Sequence, residues 1–173
     1  LRERSSEYYP CNRDREGLKC GSVYELYRNA DSMLWIGTYE GSLQRMDPVT
    51  KEIRTFYPGA GTGNPLKTND IRSVVSDKKG NYWILTHGTG VYKWNPVTDS
   101  LELFRNEPGN PKSLVNDWAF HMICDSRGNI WIASPYGLSV TKDGKHFANY
   151  RNDPDDPSSL VNDEVFTLFE DSR

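Results

Sequence analysis

Three flat aromatic side chains, Tyr39, Trp118 and Tyr136, are interspersed along this chain with Glu40, Arg72 and His87. Aromatic rings can cover the apolar faces of a sugar, and carboxylate, guanidinium and imidazole groups can bond its hydroxyls. These six residues form the candidate ligand-binding set, and their chemistry is of the kind that sugar binding would need. Loop packing or contact with neighbouring structural units would use the same residue types. Trp118 precedes Ala119, Phe120, Met122 and Ile123, so it also fits a core position.

Catalysis is poorly served, and no residue is assigned a catalytic role. His87, His121 and His146 share no motif with a carboxylate or a nucleophile. His121 lies in an apolar stretch and reads as a packed, hydrogen-bonded histidine. An acid/base site centred on His87, as in a lyase or hydrolase, is the enzymatic alternative. The sequence has no phosphate loop, EF-hand loop or dinucleotide fingerprint, so no cofactor and no metal are expected. Asp153-Pro154-Asp155-Asp156-Pro157 lacks the alternating ligands of a calcium loop and reads as a solvated turn. Of three cysteines, Cys11 and Cys20 lie nine positions apart and Cys124 stands alone. Pairing of the first two and free thiols both remain open.

The candidate residues sit on a repeat. Trp35, Trp83 and Trp131 are spaced by 48 and 48, and Leu18, Leu66 and Leu114 each stand 17 positions before one of them, with Leu160 continuing the series. Asp77-Lys78-Lys79-Gly80-Asn81 and Asp125-Ser126-Arg127-Gly128-Asn129 precede the second and third Trp. Asn-Asp recurs at Asn69-Asp70, Asn116-Asp117 and Asn162-Asp163. A period near 48 fits one four-stranded propeller blade. Within one period, residues 70–76, 82–86, 91–94 and 101–104 read as strands joined by short turns, and helical periodicity is absent. The repeated Trp and Leu are expected to fill the space between blades, and the repeated Asn and Asp to satisfy loop backbone.

The expected fold is all-β: a partial propeller with three complete four-stranded blades, an outer strand before them and an inner strand after them. The spans are 1–20 for the outer strand and loop, 21–68, 69–115 and 116–161 for the blades, and 162–173 for the inner strand. Propellers close with four to eight blades, so the sequence reads as a fragment of a larger one. Its open edges are expected to associate with remaining blades or with a second copy. Ligand-contacting positions belong on the loops that lead into each inner strand and on those joining second and third strands. These carry Arg72, Trp118 and Glu164, and Tyr39-Glu40, His87-Gly88-Thr89 and Pro135-Tyr136, and they vary while the scaffold repeats.

Composition excludes several partners. The 173 residues carry a net charge of −3 with both signs interspersed, so no nucleic-acid surface is expected. No apolar run is long enough to cross a membrane. No leader sequence is visible, so the ends of the chain do not give its compartment.

The run Leu34-Trp35-Ile36-Gly37-Thr38-Tyr39-Glu40-Gly41-Ser42-Leu43 resembles the two-component-regulator propeller repeat. So do Asp125-Ser126-Arg127-Gly128-Asn129-Ile130-Trp131-Ile132 and the loop from Asn152 to Asp163. Leu85, in place of Gly37, and Ala133-Ser134 depart from the pattern. The resemblance covers nearly the whole chain. It implies the periplasmic sensor of a hybrid two-component regulator, whose full length carries a membrane span, a histidine kinase, a receiver and a DNA-binding domain for transcription regulation. It further implies an oligosaccharide signal and no catalysis in this segment. A protein-interaction propeller is the other non-enzymatic reading.

Overall fold

Leu34–Tyr39 buries Trp35, Ile36, Gly37 and Thr38 in succession, as a strand covered on both faces must. The computed structural model describes residues 7–10, 18–19, 22–40, 43–63, 65–68 and 70–171. Among them are twelve strands in three four-stranded antiparallel sheets. The first blade comprises β1 (Ser22–Arg28), β2 (Leu34–Tyr39), β3 (Leu43–Met46) and β4 (Ile53–Phe56). The second comprises β5 (Ile71–Ser76), β6 (Tyr82–Thr86), β7 (Gly90–Trp94) and β8 (Leu101–Phe104). The third comprises β9 (His121–Cys124), β10 (Ile130–Ser134), β11 (Gly137–Thr141) and β12 (Ala148–Tyr150). No α-helix occurs among the described residues; one 3-10 turn spans Ala60–Thr62.

Each sheet is a meander in sequence order, and the inner strand β5 lies beside β1 and β9. Two cores fill the gaps between blades. Trp35 of β2 sits with ring centroids 4.6 Å from Tyr82 of the second blade. Trp83, Leu114, Met122, Ile130 and Phe147 join the second blade to the third. Trp35 and Trp83 are 1% exposed, and Leu114 is equally buried. Leu18 is buried against Ile36, Leu66 packs on the first inter-blade core, and Leu160 is half-buried.

The Asp-x-x-Gly-Asn repeat explains how each Trp is held. Asp125 accepts from Trp131 Nε1 at 2.9 Å, from Asn129 Nδ2 at 2.7 Å and from the Asn129 and Arg127 amides. Asp77 does the same for Trp83, Asn81 and Lys79. One carboxylate thus closes the turn and satisfies a core indole. In the first blade Asn29 occupies this position, and neither its Oδ1 nor Trp35 Nε1 has a partner.

Gly37 is required by a close approach: a Cβ there would lie 3.0 Å from the Ile71 carbonyl oxygen of the adjacent inner strand. At the equivalent place the second blade carries Leu85, fully buried against the third.

Two sequence expectations need qualification. Residues 162–171, read as an inner strand, follow the third blade closely. Val165 donates its amide to Ser134 O at 3.0 Å, and Phe166 stacks on Phe120. They form no ladder, because an inner strand pairs with the second strand of its own blade and no such partner lies among the described residues. Trp118 is not core, being 52% exposed. The Cys11–Cys20 pairing and most of the outer strand assigned within 1–20 lie outside the described residues. Described residues 7–10 carry no strand.

Candidate functional site

The site begins with two bulges. The β1–β2 register slips between Val23 and Glu25, and the β5–β6 register slips between Ile71 and Ser73. Each bulge leaves one residue unpaired, Tyr24 and Arg72, which stand 48 positions apart. A bulge re-aims the side chain it carries. Here the Arg72 guanidinium lies 4.1 Å from the centroid of the Tyr24 ring. The third repeat places Phe120 at the same position, and Phe166 stacks on it at 5.0 Å with an interplanar angle of 12°. Tyr24, Arg72, Phe120 and Phe166 therefore follow one another along the starts of successive inner strands, with a stacked contact at each end of the series.

Around Arg72 the rim residues converge. Its Nη2 is 2.8 Å from His87 Nδ1. A guanidinium only donates, so Nδ1 is the acceptor in this contact. The His87 ring lies 4.5 Å from the Trp118 ring, and the same two residues form an isolated backbone bridge between blades. Tyr39 meets Tyr24 edge-on at 6.2 Å. Tyr24, Tyr39 and Trp118 keep 40%, 41% and 52% of their surface exposed, so the cluster offers aromatic faces to solvent. Beneath it, Arg72 Nε and Asp70 Oδ1 are buried without hydrogen-bond partners, 3.9 Å apart. That separation suits a bridging hydroxyl or water.

One step deeper lie Glu25, Ser73 and His121, again 48 apart in sequence. Glu25 Oε2 is 3.8 Å from His121 Nε2, and the Leu168 amide donates to His121 Nδ1. Burial pushes the Glu25 carboxyl up from its ordinary range, partly offset by the Ser73 hydroxyl, and pushes His121 down. Both groups are biased towards their uncharged forms.

The structure thus gathers Tyr39, Arg72, His87 and Trp118 from the sequence-derived set. Glu40 adjoins Tyr39 in the β2–β3 connection with a left-handed φ of 57°. Tyr136 stands on the β10–β11 connection, 52% exposed, its amide bonded to its own blade's Ser134 hydroxyl. Tyr24, Asp70, Phe120 and Phe166 were missed as site residues. The signal for three of them was present: the repeat carries Arg72 back to position 24 and forward to 120 and 166. No carboxylate pairs with the His87 ring among the described residues. No group of three metal-ligating side chains occurs among the described residues.

Residues 65–88 match the family model described as two component regulator propeller. No curated protein matches the sequence. Among solved structures, the extracellular domain of BT4673 from B. thetaiotaomicron matches with a TM-score of 0.69 and 20% identity. The match covers 93% of this chain and 20% of that one. BT4673 is described as a one component system in one structure and as a hybrid two component system in another. The extracellular domain of the hybrid two component system BT3049 from the same organism gives a TM-score of 0.58 and 24% identity over 87% of this chain and 18% of that one. A virginiamycin B lyase from Staphylococcus aureus gives 0.54 and 12% over 83% and 43%. The chain spans about a fifth of the first two structures, and at these identities the likeness is one of fold. The chain is a β-propeller segment of three blades whose residues 65–88 match the two component regulator propeller model.

Proposed function

We propose that this segment senses a ligand for an extracytoplasmic, periplasmic domain of a hybrid two-component regulator, and that the ligand is an oligosaccharide. The observation that carries the reading is the exposed aromatic rim of Tyr24, Tyr39 and Trp118 around Arg72 and His87. It combines flat apolar faces with donors that are already oriented, and it has two buried polar atoms, on Asp70 and Arg72, still to be satisfied. Kinase activity and transcription regulation belong in this reading to other parts of a longer protein. Further blades, or a second copy, would cover the outward face of the third blade. There Trp131 is only half-buried, whereas its counterparts Trp35 and Trp83 are 1% exposed.

Calorimetric titration of a glycan panel tests the proposal. Binding of one oligosaccharide class that Trp118→Ala or Arg72→Met weakens at least about five-fold is expected, since each removes a contact worth roughly 1–3 kcal/mol. Binding unaffected by both variants would move the site off this rim. Failure of every glycan to bind would refute the oligosaccharide assignment.

A further inference from the structure

At the opposite end of the blades, away from the aromatic rim, the β5–β6 and β9–β10 turns meet the β11–β12 turn. A cavity of about 170 Å³ lies between them at the junction of the second and third blades. Five cationic side chains line it: Lys78, Lys79, Lys93, Arg127 and Lys142. Two carboxylates, Asp77 and Asp143, share the lining, and both are engaged elsewhere. Asp77 is held by Trp83, Asn81 and Lys79; Asp143 is held by the His146 and Lys145 amides, the His146 ring and the Thr141 hydroxyl. These hydrogen bonds keep both carboxyls below the usual carboxylate range, although burial opposes the effect at Asp77.

None of the five cations is ion-paired among the described residues. Two are fixed by neutral groups instead. Lys78 Nζ donates to the Ser126 carbonyl across the blade junction, and Lys93 Nζ sits 5.4 Å from the centroid of the Trp83 ring. The backbone makes room for them: a Cβ on Gly144 would lie 3.0 Å from Lys93 Nζ, and one on Gly128 would lie 3.3 Å from Lys78 Cδ. Like charges converging on one partly enclosed space repel unless an anion joins them. A cavity of this size accommodates a tetrahedral oxyanion.

We propose that this cavity is a second binding site, independent of the rim, for a phosphate-like oxyanion held by Lys93, Arg127, Lys142 and their neighbours. The ligand is either free phosphate or a phosphate ester on a larger molecule. Both present three or more acceptor oxygens to ammonium and guanidinium donors.

Isothermal titration of the full chain with inorganic phosphate and with glucose 6-phosphate, at ionic strength matched with sodium chloride, tests the proposal. Saturable one-site binding is expected, weakened about ten-fold by Lys93→Met and by Arg127→Gln, each of which removes a charge-assisted contact. Arg127 is exposed on a turn, so Arg127→Gln is expected to keep the parent's thermal midpoint in chloride and to report on binding alone. Tighter binding of the ester would identify an esterified ligand, and equal or tighter binding of inorganic phosphate would identify the free anion. Heats no different from those of sodium chloride, or variants that bind as the parent does, would overturn the proposal.

Discussion

Replacing Asp77 with alanine removes one acceptor from four donors at once. The carboxylate takes Trp83 Nε1 at 3.2 Å, Asn81 Nδ2 at 2.8 Å, the Asn81 amide at 2.9 Å and the Lys79 amide at 2.8 Å. Lys79 is exposed, and water can replace that bond. Trp83 and Asn81 are 1% and 8% exposed, so their donors would lose a partner that water cannot readily supply. A buried donor left unsatisfied costs about 1–3 kcal/mol. Asp77 is itself partly solvated, which places the expected loss near the lower end of the sum, at about 2–3 kcal/mol. For a chain of this size that corresponds to a fall in thermal midpoint of roughly 4–12 °C. The matching gain comes from the first blade, where Asn29 occupies the same position and Trp35 Nε1 is orphaned. Asn29 already presents an unpartnered oxygen; Asn29→Asp gives this position the carboxylate that Asp77 and Asp125 use to hold their indoles, and the Tyr82 hydroxyl, which now accepts from Asn29 Nδ2, can donate to its second oxygen instead. A gain of about 1 kcal/mol is expected. Thermal melts followed by tryptophan fluorescence compare the two variants with Glu102→Ala, a change on the exposed edge of β8. The reasoning is refuted if Asp77→Ala costs no more than Glu102→Ala, or if Asn29→Asp destabilises.

Gly90 opens β7 with a φ of 101°, and a Cβ there would lie 2.3 Å from the Phe104 carbonyl oxygen. Gly90→Ala is therefore expected to cost at least about 2 kcal/mol, read as a lowered urea midpoint, because both the strained backbone and the clash lie on rigid strand. Acid stability should report the third-blade clasp. Burial is the largest single influence on Asp125 and opposes its ionisation, yet the hydrogen bonds from Trp131, Asn129 and Arg127 together outweigh it and lower the pKa to about 2 from 3.8. A depressed carboxyl stabilises the fold fully above its unfolded value and loses that contribution as pH falls through its folded one. The gap in thermal midpoint between parent and Asp125→Ala should accordingly narrow between pH 3.8 and about 2, and a constant gap would contradict the assignment.

Much of the architecture was legible because a blade is a local object. Its strands follow one another through short turns, so alternation and turn residues alone place β5 to β8 within one residue of their observed bounds. The period near 48 then copies the solution along the chain, and the recurring Asp, Gly, Asn and Trp mark one structural device: a carboxylate that closes a turn and holds an indole. The same pattern nominated the strand ends and connections that carry Tyr39, Arg72, His87 and Trp118. Tertiary structure decided which residues on those loops meet. Arg72 reaches Tyr24 because two bulges, invisible in the alternation of their strands, turn both side chains the same way. His87 meets Trp118 because adjacent blades bring a β6–β7 connection against the approach to β9. Tyr136 stands within a β10–β11 connection in which Ser134 pairs with Gly137, one residue tighter than the Thr86–Gly90 pairing of the second blade. The cationic cavity was equally hidden, since its lysines and arginine come from three turns and from strand β7 in a sequence whose charges nearly balance. Periodicity fixes what each strand and turn does within its own blade, whereas contacts between blades depend on bulges, loop lengths and packing angles, which no local pattern encodes.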